Sequence, residues 1–388
     1  MTLILVFAGA LLVAVLFSGL AERTVLSTAV FFLLVGFVAG TTGALKLAPG
    51  DPMVSRLAEL ALFSVLFTDG MRVGVRDLVT AWRLPGRALA LGLPLTLLFT
   101  ALFSHFVAGL PWAESFLVGA VLSPTDPVFA SAIVGREEVP GRLRHLLNVE
   151  SGVNDGLALP FVVILLAIVG QQETEFGKIL GELALGIAIG VVVPWIALRL
   201  ERSRLFSLSA RYEPLYAFAV GILVYALALT VHANLFLAAF AAGITTVNVS
   251  PRFKDAFHEF GELLTELFKL AAILIFGALI SPAFLGEIGV GGYVLALLVL
   301  FVVRPLAILI SFIGSRIAWK EWVAVAWFGP KGFASVVYGL LVLESGVVLA
   351  DRMFHLIALA VAVSILLHSS TDVLVARQFK DVELKPES

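Results

Sequence analysis

The sequence contains no cysteine, and only 14% of its 388 residues are charged. Without cysteine the chain forms neither a disulfide framework nor a thiolate metal site. So few charges, beside a hydrophobic share of 60%, exclude an ordinary soluble domain anywhere along the chain. The formal net charge of −2 says little about partners, and we expect neither a cofactor nor nucleic acid to bind.

Apolar runs of bilayer-spanning length recur along the whole chain and leave short polar joints between them. This pattern favours an all-α integral membrane protein over a barrel, because each run is long enough for a helix to cross the hydrocarbon core. Thr2 to Leu20 lacks the basic segment of a signal peptide, so we count it as the first span. The runs predict about thirteen spans, near residues 2–20, 26–45, 57–70, 87–109, 114–134, 147–169, 180–199, 215–232, 234–249, 265–280, 290–312, 322–345 and 352–373.

Basic residues concentrate on one side of the predicted spans. The joints after odd-numbered spans, together with the C-terminal residues, hold nineteen of the 26 lysines and arginines. By the positive-inside rule we expect a cell-membrane protein with its N-terminus outside and a short cytoplasmic tail at 376–388. Of the three basic residues inside spans, we expect Lys269 to snorkel from a span start, whereas Arg304 and Lys331 lie near the predicted midplane.

The fifth span carries the segment SPTDPVFAS, with two prolines flanking a threonine and a carboxylate. Pro124 and Pro127 each remove a backbone donor, so the helix should unwind around Thr125 and Asp126. Irregular backbone at this depth is tolerated where it lines a cavity or is buried in protein. Carbonyls freed by such a break are a recurrent way to build cation sites in secondary transporters.

The sixth span places a second carboxylate at matching depth. Ser151 and Asp155 are four residues apart and share a helix face, as do Glu150 and Asn154. A hydroxyl and a carboxylate beside an amide supply the oxygen ligands that hard cations prefer.

A second interrupted helix is predicted at Gly329 and Pro330 in the twelfth span. Paired breaks indicate two inverted six-span repeats, near 1–170 and 215–375, around a linker helix near 180–199, all in one transmembrane domain. Arg304 needs an acidic partner, for which Glu150 is the candidate. The sequence leaves open whether Lys331 balances Asp126 or interacts with helix dipoles.

Four motifs together resemble the monovalent cation/proton antiporter superfamily, in the branch of NhaP-type and NHE-type sodium/proton exchangers. They are TDPV at 125–128, VESGVNDG at 149–156, VVRP at 302–305 and GPKG at 329–332. The resemblance implies crossed broken helices and a homodimer whose core domain slides against a dimerisation domain. It further implies that Asp155 carries both cation and proton, that Asp126, Ser151 and the Thr125 carbonyl are further ligands, and that Asn154 and the Glu150–Arg304 pair are structural.

One residue departs from that family pattern. The family's twelfth span commonly has arginine where this chain has Lys331. Because Asn154 stands where the electrogenic branch has an acid, we expect one titrating carboxylate per site and electroneutral exchange.

The sequence therefore predicts an antiporter that exchanges Na⁺, or alternatively Li⁺ or K⁺, for H⁺ at Asp155. Proton and cation need the same carboxylate oxygens, so their fluxes are coupled. A cation channel would need a wider hydrophilic stripe than these isolated charges offer. A membrane aspartyl protease would need a Gly-x-Gly-Asp context that neither Asp126 nor Asp155 has, so we expect no enzyme.

Overall fold

The computed structural model describes residues 1–17, 27–47, 51–74, 83–126, 140–170, 176–203, 208–315 and 317–377. Throughout these ranges every regular element is a helix. A short helix, Pro282–Glu287, lies between two of the longer ones and is not numbered. The principal helices are α1 (Thr2–Leu16), α2 (Thr28–Thr41), α3 (Pro52–Arg72), α4 (Arg83–Phe106), α5 (Trp112–Val121), α6 (Gly141–Val169), α7 (Phe176–Glu201), α8 (Glu213–Thr230), α9 (Leu235–Val249), α10 (Arg252–Leu279), α11 (Val290–Ser311), α12 (Trp319–Trp327), α13 (Phe333–Glu344) and α14 (Ala350–Arg377).

Local sequence signals start several of these helices. Ser27, Asp51 and Asn234 precede α2, α3 and α9, and each side chain accepts a backbone N–H of the following turn. Such caps satisfy amide donors that have no partner inside the helix. Pro52 occupies the first turn of α3, where a missing N–H costs nothing.

Most helices coincide with the predicted spans, and α10 is the main exception. The helices α4, α6, α7, α8, α11 and α14 are long and apolar enough to cross a membrane. We predicted that the tenth span begins near residue 265, but α10 begins at Arg252. The prediction was wrong because polar residues before 265 were taken for a joint, whereas they form the first turns of one continuous helix.

The fifth and twelfth predicted spans are both interrupted. Helix α5 ends at Val121, and residues 122–126 are non-helical. The twelfth span consists of α12 and α13, separated by the non-helical residues 328–332. Pro124, Gly329 and Pro330 lie in these segments, whereas Pro127 lies outside the described residues.

Helices α4 and α11 share a second irregularity. Each contains five residues of π-helix, Ala88–Gly92 in α4 and Val299–Val303 in α11, with a proline two residues beyond. The two helices contact each other along these stretches. Similar irregularities therefore recur in the fourth and eleventh helices, just as breaks recur in the fifth and twelfth spans.

Glycines allow α3 and α9 to approach closely where they cross. A Cβ on Gly243 would overlap the backbone oxygen of Phe67, and a Cβ on Gly70 would overlap the backbone of Phe240. Small residues at such crossings let helix backbones touch, which is how helices associate in a membrane. The crossing fixes the position of the segment of α3 that contains Thr68 and Asp69.

We predict that Gly243→Leu separates α3 from α9 and destabilises the protein by about 1–3 kcal/mol or more. The added side chain has to displace the backbone of α3 rather than a flexible side chain. Thermal melting of the purified protein measures the loss. Gly181→Leu is the matched control, because a Cβ at Gly181 meets no atom within 4 Å; equal melting of the two variants would contradict the close crossing.

Candidate ion-binding site between two broken helices

The two non-helical segments bind each other through Asp126. The backbone N–H of Asp126 donates to the carbonyl of Pro330 at 3.0 Å. Its carboxylate Oδ2 accepts the backbone N–H of Phe333 at 3.1 Å. Phe333 is the first residue of α13, so this carboxylate lies at a helix N-terminus, where the helix dipole favours negative charge.

Helix α6 brings three of the predicted site residues to this crossing. Ser151, Asn154 and Asp155 are all buried. The Asn154 side-chain amide donates to the Thr125 carbonyl at 3.1 Å and to the Thr125 hydroxyl at 2.8 Å. The amide therefore ties α6 to the first break, and the Thr125 carbonyl, predicted as a cation ligand, is already one acceptor in this contact.

Two acceptor oxygens at the crossing lack donors. Asp155 Oδ1 and Asn154 Oδ1 are buried, and neither has a hydrogen-bond partner in the described ranges. Tyr338 donates its hydroxyl to the backbone carbonyl of Asp155 at 2.8 Å, which leaves the carboxylate uncommitted. Buried polar atoms without partners are uncommon and indicate an ion, a proton or a water that fits there.

Two charged residues near Asp155 were not expected there from the sequence: Asp69 was not considered, and Lys269 was expected to snorkel. Asp69 and Asp126 are the carboxylates within electrostatic range of Asp155, and Lys269 is the cation. Asp69 of the third span is only 7% exposed, and the sequence interpretation did not include it in the site. Its position between Thr68 and Gly70 in an apolar run was the available signal.

Lys269 does not snorkel. Lys269 is only 7% exposed. The carboxylates within its electrostatic range are those of Asp126, Asp69 and Glu266. The snorkelling prediction was wrong because α10 starts 13 residues earlier than expected, so that Lys269 lies well inside the helix.

The predicted Glu150–Arg304 pair is present and lies beside the second break. Arg304 donates to both carboxylate oxygens of Glu150, at 2.9 and 3.3 Å, and to the Phe328 carbonyl at 3.3 Å. A Cβ on Gly329 would overlap the Arg304 side chain, so only glycine fits there. The pair is buried, and two-pronged geometry of this kind is the strong form of the arginine–carboxylate contact.

Lys331 lies on the side of Glu150 and Arg304. Among the described residues, these two are the charged groups within its electrostatic range. Lys331 is 1% exposed, and its Nζ has no hydrogen-bond partner among the described residues.

Two side chains of α14 hold the backbone of the second break. The Lys331 backbone N–H donates to the Ser364 hydroxyl at 2.8 Å. His368 donates from Nε2 to the Trp327 carbonyl at 3.0 Å, and its Nδ1 lies 3.2 Å from the Ser364 hydroxyl. Helix α14 thus satisfies one backbone group at the end of α12 and one inside the break, a role that only the folded structure reveals.

We predict that Arg304→Met lowers stability by about 3–5 kcal/mol, because it leaves the Glu150 charge buried alone. Replacing both partners, in Glu150→Leu/Arg304→Met, should cost less than the sum of the two single losses. Thermal melting of the four proteins measures this difference. Wild-type melting of the Arg304→Met protein, or strictly additive losses, would contradict a coupled pair.

Comparison with known proteins identifies both a family and a fold. The family described as "Sodium/hydrogen exchanger, transmembrane" matches residues 8–377. The K(+)/H(+) antiporter NhaP2 of Shewanella baltica is 28% identical over 398 residues, which cover 98% of this chain and 67% of that protein. The K(+)/H(+) antiporter NhaP of Alkalimonas amylolytica is 27% identical over 392 residues, which cover 99% of this chain and 68% of that protein.

A solved structure shares the fold. The sodium proton antiporter MjNhaP1 from Methanocaldococcus jannaschii at pH 8 matches with a TM-score of 0.80 over 98% of this chain and 100% of that one. At 20% identity this similarity concerns the fold alone. Because the family match extends over nearly the whole chain, the protein belongs to the transmembrane sodium/hydrogen exchanger family.

Proposed function

We propose that this protein is a secondary antiporter that exchanges a monovalent cation for H⁺, with both competing for the Asp155 carboxylate. The observation that carries the proposal is the buried Asp155 Oδ1, which has no donor in the described part of the chain and lies beside the crossed breaks. An oxygen in this position accepts either a proton or a metal cation. Occupancy by one excludes the other, and that exclusion couples the two fluxes.

Asp126, Ser151 and Thr125 are the proposed further ligands of the cation. Asp126 is within electrostatic range of Asp155, and Ser151 is buried one helical turn before it. Carboxylate, hydroxyl and carbonyl oxygens suit hard monovalent and divalent cations. Asn154, Glu150, Arg304 and Lys331 are proposed to support the site rather than to bind the ion.

The identity of the cation is the open part of the proposal. Na⁺ is our first choice from the sequence motifs, with Li⁺ and K⁺ as alternatives. The solved relative is named as a sodium proton antiporter, whereas the bacterial relatives are named as K(+)/H(+) antiporters. Comparing Na⁺, Li⁺ and K⁺ at equal concentration in one assay decides among them.

The proposal also includes the repeats, the orientation and the oligomeric state. The paired breaks and paired π-helical segments support two inverted repeats, near 1–170 and 215–375, about a linker helix near 180–199. The distribution of basic residues supports an outer N-terminus and a cytoplasmic C-terminus in the cell membrane. A homodimer is proposed from the family resemblance.

We predict that Asp155→Asn abolishes cation-driven proton movement, because an amide neither binds a proton near neutral pH nor provides a charged cation ligand. The assay measures the collapse of a pH gradient in proteoliposomes on addition of Na⁺, Li⁺ or K⁺. Asp351→Asn, at the exposed start of α14, is the matched control and should exchange like wild type. Substantial exchange by Asp155→Asn would place the carrier elsewhere, and cation flux without proton counterflow would indicate a channel.

We further predict that the exchange is electroneutral, with one proton for one cation. Lys331, the buried lysine of the second break, lies beside Glu150 and Arg304 rather than Asp155, so it adds no second proton to the site. Initial rates driven by Na⁺ or Li⁺ should be equal with the membrane potential set to zero and set negative inside. A clear acceleration by potential would contradict this stoichiometry.

A further inference from the structure

Lys269 of α10 is a buried lysine whose ammonium carries the same charge as a monovalent cation. Thr265, one turn before it on α10, forms a hydroxyl–hydroxyl hydrogen bond of 2.9 Å with Thr68 of α3. Asp69 follows Thr68 directly, so this bond holds the lysine-bearing face of α10 against the acidic part of α3. Asp126 from the first break, Asp155 from α6 and Glu266 from α10 complete the group of carboxylates within electrostatic range of Lys269.

The other cation at this group is placed differently. Arg72 donates to Asp69 at 3.3 Å and to Glu262 at 2.7 Å. Its side chain is 42% exposed, so water and salt screen its charge. Lys269 is 7% exposed as a residue, and its field at the carboxylates is screened far less.

Asp69, Asp126 and Asp155 are all buried. Three buried carboxylates cannot remain charged together without a counter-charge. Among the described residues, Lys269 is the buried cation within electrostatic range of Asp155, while Arg304 is already committed to Glu150. The same ammonium repels any cation that binds between these carboxylates. One charge therefore stabilises the empty site and opposes the filled one.

We propose that Lys269 acts as a tethered cation, which neutralises the ion site when it is empty and lowers its affinity for the substrate cation. The inference rests on the proposed antiport function and adds a residue that determines how tightly the site binds. A weakly binding site releases its ion readily, which an exchanger needs on the side of release. The competing interpretation is that Lys269 only holds α10 to α3, in which case its loss would loosen the helices without tightening ion binding.

The test compares cation binding by wild type, Lys269→Met, Lys269→Arg and Lys178→Met. Methionine keeps an unbranched side chain, one atom shorter, and removes the charge, whereas arginine keeps the charge. Lys178 is an exposed residue of α7 that controls for charge loss elsewhere. Binding is measured on purified protein as the rise in melting temperature with Na⁺, Li⁺ or K⁺ against choline. The titration is done at alkaline pH, since removing Lys269 also tightens proton binding and protons must not mask the effect.

We expect Lys269→Met to bind its cation about tenfold more tightly than wild type, which corresponds to removal of ~1.4 kcal/mol of repulsion. The arginine variant and the Lys178 control should bind like wild type. Unchanged or weaker binding by folded Lys269→Met overturns the proposal. So does equal tightening by Lys178→Met.

A charge-conserving variant keeps the test decisive if Lys269→Met does not fold. Asp69→Asn/Lys269→Met leaves the net charge of the group unaltered, and it should bind about tenfold more tightly than Asp69→Asn alone. Equal affinity of these two proteins overturns the role of Lys269. Exchange by wild type in proteoliposomes is scored separately, so that a wild type without exchange refutes the proposed function, whereas exchange with unaltered affinity refutes only this inference.

Discussion

The structure depends on how two interrupted helices satisfy each other's backbone inside an apolar surrounding. A break in a helix leaves amide and carbonyl groups that lipid cannot bond. Here Asp126 contributes its N–H to Pro330 and its carboxylate to Phe333, so each break supplies partners for the other. The crossing therefore gives both interruptions hydrogen-bond partners that lipid could not supply.

Neighbouring helices provide hydrogen-bond partners for polar groups that the two breaks do not satisfy between themselves. The Asn154 amide bonds both oxygens of Thr125 from the side of α6. From α14, Ser364 accepts a backbone N–H inside the second break, and His368 donates to the last carbonyl of α12. Among the described side chains, the buried acceptors that remain without a donor at the crossing are then Oδ1 of Asn154 and Oδ1 of Asp155. The same hydrogen bonds that stabilise the irregular backbone thus leave a carboxylate oxygen uncommitted.

Charges near the crossing divide into two groups with different consequences. Glu150 and Arg304 neutralise each other through two hydrogen bonds and pin the second break. On the other side, Asp155 faces Asp69, Asp126 and Lys269, and this group includes more acids than bases. The Glu150–Arg304 pair is already neutral and needs no further charge. The acidic group around Asp155, in contrast, is stabilised when a proton or a cation binds its unbonded oxygen. In the proposed exchange the group around Asp155 binds the ion, and the Glu150–Arg304 pair holds the second break in place.

The sequence by itself determined the features that arise from local chemistry. Composition determined a helical membrane protein, and the paired Pro and Gly motifs predicted where the two breaks lie, because a missing N–H acts within one turn. A lone proline does not suffice for a break, since Pro160 and Pro194 lie inside the continuous helices α6 and α7. The i, i+4 spacing placed Ser151 and Asp155 on one face, and the need to compensate a buried guanidinium selected Glu150 for Arg304. Only the tertiary structure decided that Asp126 closes the second break, that Lys331 lies beside Arg304, and that Lys269 and Asp69 join the site. These contacts depend on the register between distant helices, which is set by close backbone crossings such as Gly70 with Gly243, and no local periodicity encodes that register.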